Sequence, residues 1–323
     1  MTEGRSMKAR VKVPASTSNL GAGFDCVGVA VDRWLTASVI ATEMGAVERV
    51  TTIRSGAIAN LAEGPEDDLL HVGFRLACQA RSHGVPKRVD YQVSSTIPVA
   101  RGLGASAAAL IAGAMLASES LGLDLAREEI AALCSRAEGH PDNAGAAVFG
   151  GAVLSVSTGD NSTRHQYAFT SLRIHPEIAL VFAVPELEIE TSAARAVLPT
   201  SLPYGTTIAA IAKAAALVEG LTTGDSKLLA YALDDVVHVP YRRQLIPGYD
   251  SVVSTAISAG AFGATLSGSG STILAVAPIG AASQVGSAMR ATWKAMDNAT
   301  EVIIGAKSVS GATSTFTGHG HSL

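Results

Sequence analysis

The chain has 323 residues, room for about two domains at roughly 100 to 200 residues each, and 48% of them are hydrophobic against 16% charged. Its 24 Lys and Arg against 28 Asp and Glu leave a net charge of −4, with no basic run longer than a pair such as Arg242-Arg243. That argues against a nucleic-acid or anionic-membrane surface and for small-molecule partners. Cys26, Cys78 and Cys134 show no CxxC or zinc-ligand spacing, and neither a secretory leader nor an apolar run of about 20 residues is present, so a reducing cytoplasm is the expected location.

Residues 8–13 (KARVKV) alternate basic and apolar side chains, the period of a strand with one wet face, and Pro14 then leads into a turn-rich stretch, Ser16 to Gly23, expected to open a functional loop. Strands are predicted over 27–40, 48–54 and 89–97, and a helix over 67–83. From Pro98 the chain passes through a glycine turn into an Ala-rich helix, and DLAREEIAALCSRAEG supplies the next, with Asp124 as N-cap and Gly139 as C-cap. The polar stretch Ser157 to His165 marks the expected domain border, giving halves 1–165 and 166–323. In the second half EIALVFAVP (177–185) reads as a buried strand. Helices are predicted near 191–197, 205–220, 225–237 and from about 249, then a hairpin over 262–277, a helix over 280–296 and a strand over 300–308. The small polar tail is expected to be disordered from about residue 310.

The most informative segment is Pro98-Val99-Ala100-Arg101-Gly102-Leu103-Gly104-Ala105-Ser106-Ala107-Ala108. Gly102 and Gly104 permit positive φ and close approach, while Ala105, Ser106 and Ala107 leave the first helical turn almost bare, so that its amides can face an anion. No Lys follows the second glycine, which excludes a Walker A loop. A G-x-G-x-x-A dinucleotide pattern is also present, with Asp124 downstream, but that turn follows a buried apolar strand, whereas VDYQVSST alternates. Tight helix-strand packing would need the same glycines, so this motif alone leaves packing and phosphate binding both open. Ser106 and Glu138 offer hard oxygens suited to Mg²⁺. The cluster Gly139-His140-Pro141-Asp142-Asn143 lies between apolar segments, either as a site or as a helix cap formed by Asp142 or Asn143.

Together these pieces resemble the small-molecule kinase superfamily of galactokinase, homoserine kinase, mevalonate kinase and phosphomevalonate kinase, whose loop reads P-x-x-x-G-L-G-S-S-A. Here Ala105 replaces the first serine and Ser106 keeps the second. The resemblance to its homoserine kinase branch covers nearly the whole chain, through VKVPASTSNLGAGFDCVGVAVD (11–32), EGHPDN (138–143), ETSAARAVLP (190–199), HVPYRRQLIPG (238–248) and GAFGATLSGSGSTILAV from 260. It implies an α+β fold in two domains with the active site in the groove between them, and ATP-dependent phosphorylation of the hydroxyl of L-homoserine. MgATP would lie on 98–108, with Ser106 and Glu138 as metal ligands and Asp68 beside adenine. Arg195 and Arg242 would hold the substrate carboxylate and Asp25 its ammonium. Asn19, His140 and Asp142 would complete the pocket, and Asn143 would orient the hydroxyl. A homodimer is usual in that family.

Overall fold

The longest strands come first, in a computed structural model that describes residues 6–43, 48–158, 166–305 and 308–320. β1 (Ser6–Asn19) and β2 (Gly23–Thr42) pair antiparallel along almost their whole length. Along β1 the apolar Ala9, Val11 and Val13 are buried and Arg10 and Lys12 exposed, as the alternation requires. The expected loop from Ser16 is largely strand. β1 runs past Pro14 with a bulge, and only Leu20 to Ala22 turn. Strand is possible here because the buried hydroxyls of Ser16 and Thr17 bond to distant side chains.

β3 (Arg49–Gly56), α1 (Leu69–Ala80), β4 (Arg88–Ser95), α2 (Ala105–Leu121), α3 (Arg127–Glu138), α4 (Asp142–Phe149), β5 (Ala152–Ser157) and β6 (Tyr167–Leu172) complete the first half. α3 starts two residues later than Asp124 would place it: its N-cap is Ala126, whose amide donates to the Glu129 carboxylate, while Asp124 sits at φ 48 in the preceding turn. Gly139 caps the other end at φ 82.

β7 (Ile178–Pro185), α5 (Thr191–Ala196), α6 (Tyr204–Thr223), α7 (Ser226–Leu233), α8 (Val239–Arg242), α9 (Tyr249–Ser258), β8 (Gly263–Leu266), β9 (Ile273–Pro278), α10 (Ala282–Lys294), β10 (Thr300–Gly305) and β11 (Thr313–Gly320) follow. The larger sheet runs β11-β1-β2-β4-β3 with β5 and β6 joined to β2, and the smaller runs β10-β7-β9-β8. This membership corrects two expectations. The tail is ordered as edge strand β11, pairing Thr313 with Lys12 through to Gly320 with Ser6, because its β-prone TSTFT run covers the open edge of β1. β6 lies beyond the expected border at 165 yet pairs with β5, so the first sheet takes strands from both sides of it. Residues 159–165, most of the border stretch, fall outside the described residues.

β7 is buried on both faces. Ile178, Leu180, Phe182 and Val184 join the core under the large sheet, while Ala179, Val181 and Ala183 join a second core with α9 and α10. One strand of period two thus welds the halves together. α1 and α2 cross so closely that a Cβ on Gly113 would lie 1.8 Å from the Leu70 carbonyl oxygen, and one on Gly73 2.0 Å from that of Leu110. Gly113→Ala is therefore expected to cost about 3 kcal/mol or to prevent folding. Urea unfolding measures this, and an unchanged midpoint would contradict the backbone contact.

Candidate active site

Four segments converge on one cleft of about 300 Å³: the end of β1, the glycine loop, the start of α4 and the turn between β8 and β9. The loop leaves β4 with positive φ at Ala100, Gly102 and Gly104, and Gly104 at φ 66 is the N-cap of α2. Both loop glycines are also needed for packing. A Cβ on Gly102 would meet the Ser267 carbonyl at 2.1 Å, and one on Gly104 the Ser16 hydroxyl at 2.3 Å. The first turn of α2 therefore presents its unpaired amides and the positive end of a 17-residue helix to the cleft.

Residues 98–106 of the expected cradle all line the cleft. The Arg101 guanidinium donates to the carbonyls of Val99, Pro185 and Glu186, pairs with Glu188 at 3.0 Å and clamps the loop against the end of β7. Ala107 and Ala108 lie fully in the core, and the Ala108 amide donates to the Gly104 carbonyl. The dinucleotide pattern finds no support, for β4 lies between β2 and β3 with an antiparallel neighbour on one side, and Asp124 ends no strand.

At the mouth of α2, Ser106 donates to Glu138 Oε1 at 2.6 Å. Glu138 Oε2 is buried with no hydrogen-bond partner among the described residues, and burial pushes its carboxyl up against the opposing effect of His140 and Ser106. An orphaned carboxylate oxygen beside a hydroxyl suits a hard cation such as Mg²⁺.

The start of α4 presses on β2, where a Cβ on Gly28 would lie 2.2 Å from the Asp142 carbonyl oxygen. Asp142 Oδ1 accepts from the Asn143 amide at 2.8 Å and lies 2.7 Å from His140 Nδ1, but neither Asp142 nor Asn143 is the helix cap, since Pro141 holds the N-cap position and both lie within α4. Burial disfavours charge on His140, yet Asp142, with Glu138 and Asp25, outweighs it and pushes the imidazole up to about 9. The Asn143 side chain is fixed, accepting from Ser16 Oγ and donating to Ser18 Oγ. Asn19, at φ 76, donates to the Gly268 carbonyl and accepts from the Asp25 amide.

Asp25 and Arg195 form a two-point ion pair at 2.9 and 3.2 Å. Arg242 is only 2% exposed and bonds to the carbonyls of Ala194 and Gly268 and to His238 Nδ1. No carboxylate lies within ion-pair distance of it among the described residues. Burial, with Arg195 nearby, lowers its pKa to about 10. A buried guanidinium without an acid is a receptor for an anion. Arg243, its sequence neighbour, instead reaches surface Asp250.

Asp68 differs from the expectation in detail. It lines the cleft but caps α1 through the Leu70 amide, and its Oδ2 accepts from Thr52 and Arg54, so protein donors already hold both of its oxygens. Several lining residues were not foreseen: Ser18, and at the far end Leu35, Arg54, Ile58, Leu61 and Glu63. The far-end residues come from β2, β3 and the segment after β3, each unremarkable in sequence. For Ser18 the only available signal was its place inside an unusually polar strand end.

The class this cleft defines is matched along the chain. Residues 69–151 match the family model of the GHMP kinase N-terminal domain and 205–295 that of the GHMP kinase C-terminal domain, and the chain belongs to the GHMP kinase family. It is 38% identical over 289 residues to the homoserine kinase of Synechococcus sp., covering 90% of this chain and 92% of that one, and 38% identical over 291 residues to that of Gloeobacter violaceus, covering 88% and 92%. A crystal structure of homoserine kinase from Cytophaga hutchinsonii superposes with a TM-score of 0.83 at 25% identity, covering 98% of both chains. L. major mevalonate kinase, at 0.61 and 18% over 94% of this chain and 96% of that one, shares the fold. Among the described residues no helix is long and apolar enough to cross a membrane.

His238, fully buried, stacks on Phe24 at 4.8 Å and contacts Arg242. Burial holds its pKa well below the ordinary value, with Arg242 adding to this against Asp235. Below about pH 6.5 the unfolded chain binds a proton here that the folded one refuses, so stability falls as the pH drops. His238→Gln is expected to flatten that fall by more than about 1 kcal/mol between pH 7 and 5, measured by denaturation at each pH. Parallel curves would contradict the neutral buried imidazole.

Proposed function

We propose that this chain transfers the γ-phosphoryl group of ATP to the terminal hydroxyl of L-homoserine, yielding O-phospho-L-homoserine and ADP, a step toward threonine, in the cytoplasm. One observation carries the reading: receptors for a carboxylate (buried Arg242 with Arg195) and for an ammonium (Asp25) stand in the same cleft as a helix N-terminus fit for phosphate. Homoserine carries those two charges and a hydroxyl. Galactose lacks both charges, and mevalonate lacks the ammonium. The 38% identity to homoserine kinases over 90% of the chain supports the same substrate.

Ser106 and Glu138 would hold Mg²⁺, which when bound neutralises phosphate charge and organises the triphosphate. The amides at the start of α2 stabilise charge on the transferring group without reorganising, since the loop is already clamped by Arg101 and Ser267. Asn143, held between Ser16 and Ser18, orients the acceptor hydroxyl. No strong base is required, because phosphoryl transfer rests on position and charge neutralisation, and the hydroxyl proton can pass late to an oxygen of the transferring phosphoryl group.

ADP release with L-homoserine, mevalonate, galactose, serine and threonine tests the substrate. Homoserine is expected to exceed the others by at least about a hundredfold in kcat/KM, and preference for any other acceptor would refute the assignment. Ser106→Ala is expected to raise the Mg²⁺ concentration needed for half-maximal rate several-fold at saturating homoserine. Removing one metal-binding oxygen should not move the homoserine KM, and a shift in that KM alone would place Ser106 elsewhere.

A further inference from the structure

The Asp25–Arg195 pair joins the two groups that the functional reading assigns to the ammonium and the carboxylate on the substrate's α-carbon. Both Asp25 oxygens are engaged by the Arg195 guanidinium, so in this arrangement neither side chain is free for its assigned partner. We propose that homoserine binds by ion-pair exchange: its ammonium takes Asp25 from Arg195 while its carboxylate takes Arg195 from Asp25, and the internal pair thereby rejects ligands that carry only one of the two charges. The inference rests on the homoserine reading and adds a selection step to it.

Three features favour exchange over a static pocket. Asp25 is the fixed partner: it sits at φ 54, tied through its own amide to Asn19, which is in turn bonded to Gly268. Arg195 is the movable one, extending from the six-residue helix α5 at the rim with its guanidinium 5.9 Å from the centre of the Phe24 ring. The side chains of the pair are 34% and 37% exposed, so water screens it and breaking it costs little when each ion gains a new partner. The third feature is Arg242, buried and already lacking a carboxylate, which provides a second guanidinium for the incoming anion.

The charge balance gives the selectivity. With homoserine bound, Asp25 faces an ammonium and both arginines face a carboxylate. 4-Hydroxybutyrate carries no ammonium, so taking Arg195 leaves Asp25 with His140 as its near cation in place of a bonded guanidinium. 3-Aminopropan-1-ol carries no carboxylate, so taking Asp25 strands Arg195 beside the unpaired Arg242. Each one-charge ligand breaks the Asp25–Arg195 pair while replacing only one half of it, and both halves are replaced only by the zwitterion.

Asp25→Asn separates this from simple ammonium recognition. Asn accepts the left-handed backbone at that position, and it frees Arg195 permanently. Exchange predicts that kcat/KM for homoserine falls, while kcat/KM for 4-hydroxybutyrate rises roughly threefold to tenfold, because the fraction of Arg195 ready for a carboxylate is no longer limited by Asp25. If Asp25 does no more than bind ammonium, the hydroxybutyrate value stays at the wild-type level or drops, and that result overturns the proposal. Asp25→Ser carries the same expectation should the Asn variant fold poorly, as judged by its thermal melt. Homoserine turnover by the wild type with no gain toward hydroxybutyrate in either variant refutes exchange alone. A wild type that does not turn over homoserine refutes the functional reading and the exchange with it.

Discussion

The cleft depends on the polar end of β1. Four consecutive residues there, Ser16 to Asn19, are buried in a strand that would ordinarily be apolar, and between them they are bonded to three other segments. The Ser16 amide donates to the Leu103 carbonyl of the glycine loop and its hydroxyl to Asn143. Thr17 shares a 2.8 Å bond with Ser267, Ser18 accepts from Asn143, and Asn19 reaches Gly268. Buried hydrogen bonds of this kind are expensive to leave half made. The glycine loop, α4 and the β8–β9 turn are therefore held in one arrangement relative to one another.

That scaffold explains how a chain of net charge −4 can serve an anionic nucleotide without a basic surface. The groups that can meet the nucleotide's charge are local and of three kinds: first-turn amides of a long helix, a guanidinium buried without an acid, and a carboxylate with an orphan oxygen suited to a divalent cation, which would itself carry the positive charge. Arg101, the one arginine inside the loop itself, holds backbone carbonyls. The charges that face the ligand are thus few, partly desolvated and individually assigned.

Much of this was legible in the sequence because the relevant signals are local. A glycine pair before an Ala-rich run, an alternating strand before it and the five residues from Gly139 to Asn143 each announce their own conformation. What was illegible depended on partners far away in the chain. Nothing in TSTFT says that it will cover the edge of β1 some 300 positions earlier. Ser16 to Asn19 reads as a loop until Asn143 and Ser267 arrive to satisfy its hydroxyls. Arg54 and Asp68 find each other across 14 residues, so that the residue expected beside adenine is also a helix cap held by a guanidinium. Arg195 and Asp25 were singled out for opposite charges of a ligand, and only the three-dimensional arrangement shows that they hold one another.

The central claim is that the cleft seats homoserine and nucleotide together, the amino-acid end on Arg242, Arg195 and Asp25 and the phosphates at the start of α2. A crystal structure with L-homoserine and a non-hydrolysable MgATP analogue measures this directly. The account predicts the carboxylate within hydrogen-bond distance of Arg242, the ammonium on Asp25, the hydroxyl beside Asn143 pointing at the γ-phosphate, and the cation on Ser106 and Glu138. A ligand carboxylate bound away from both arginines, or phosphates seated away from the first turn of α2, would contradict it.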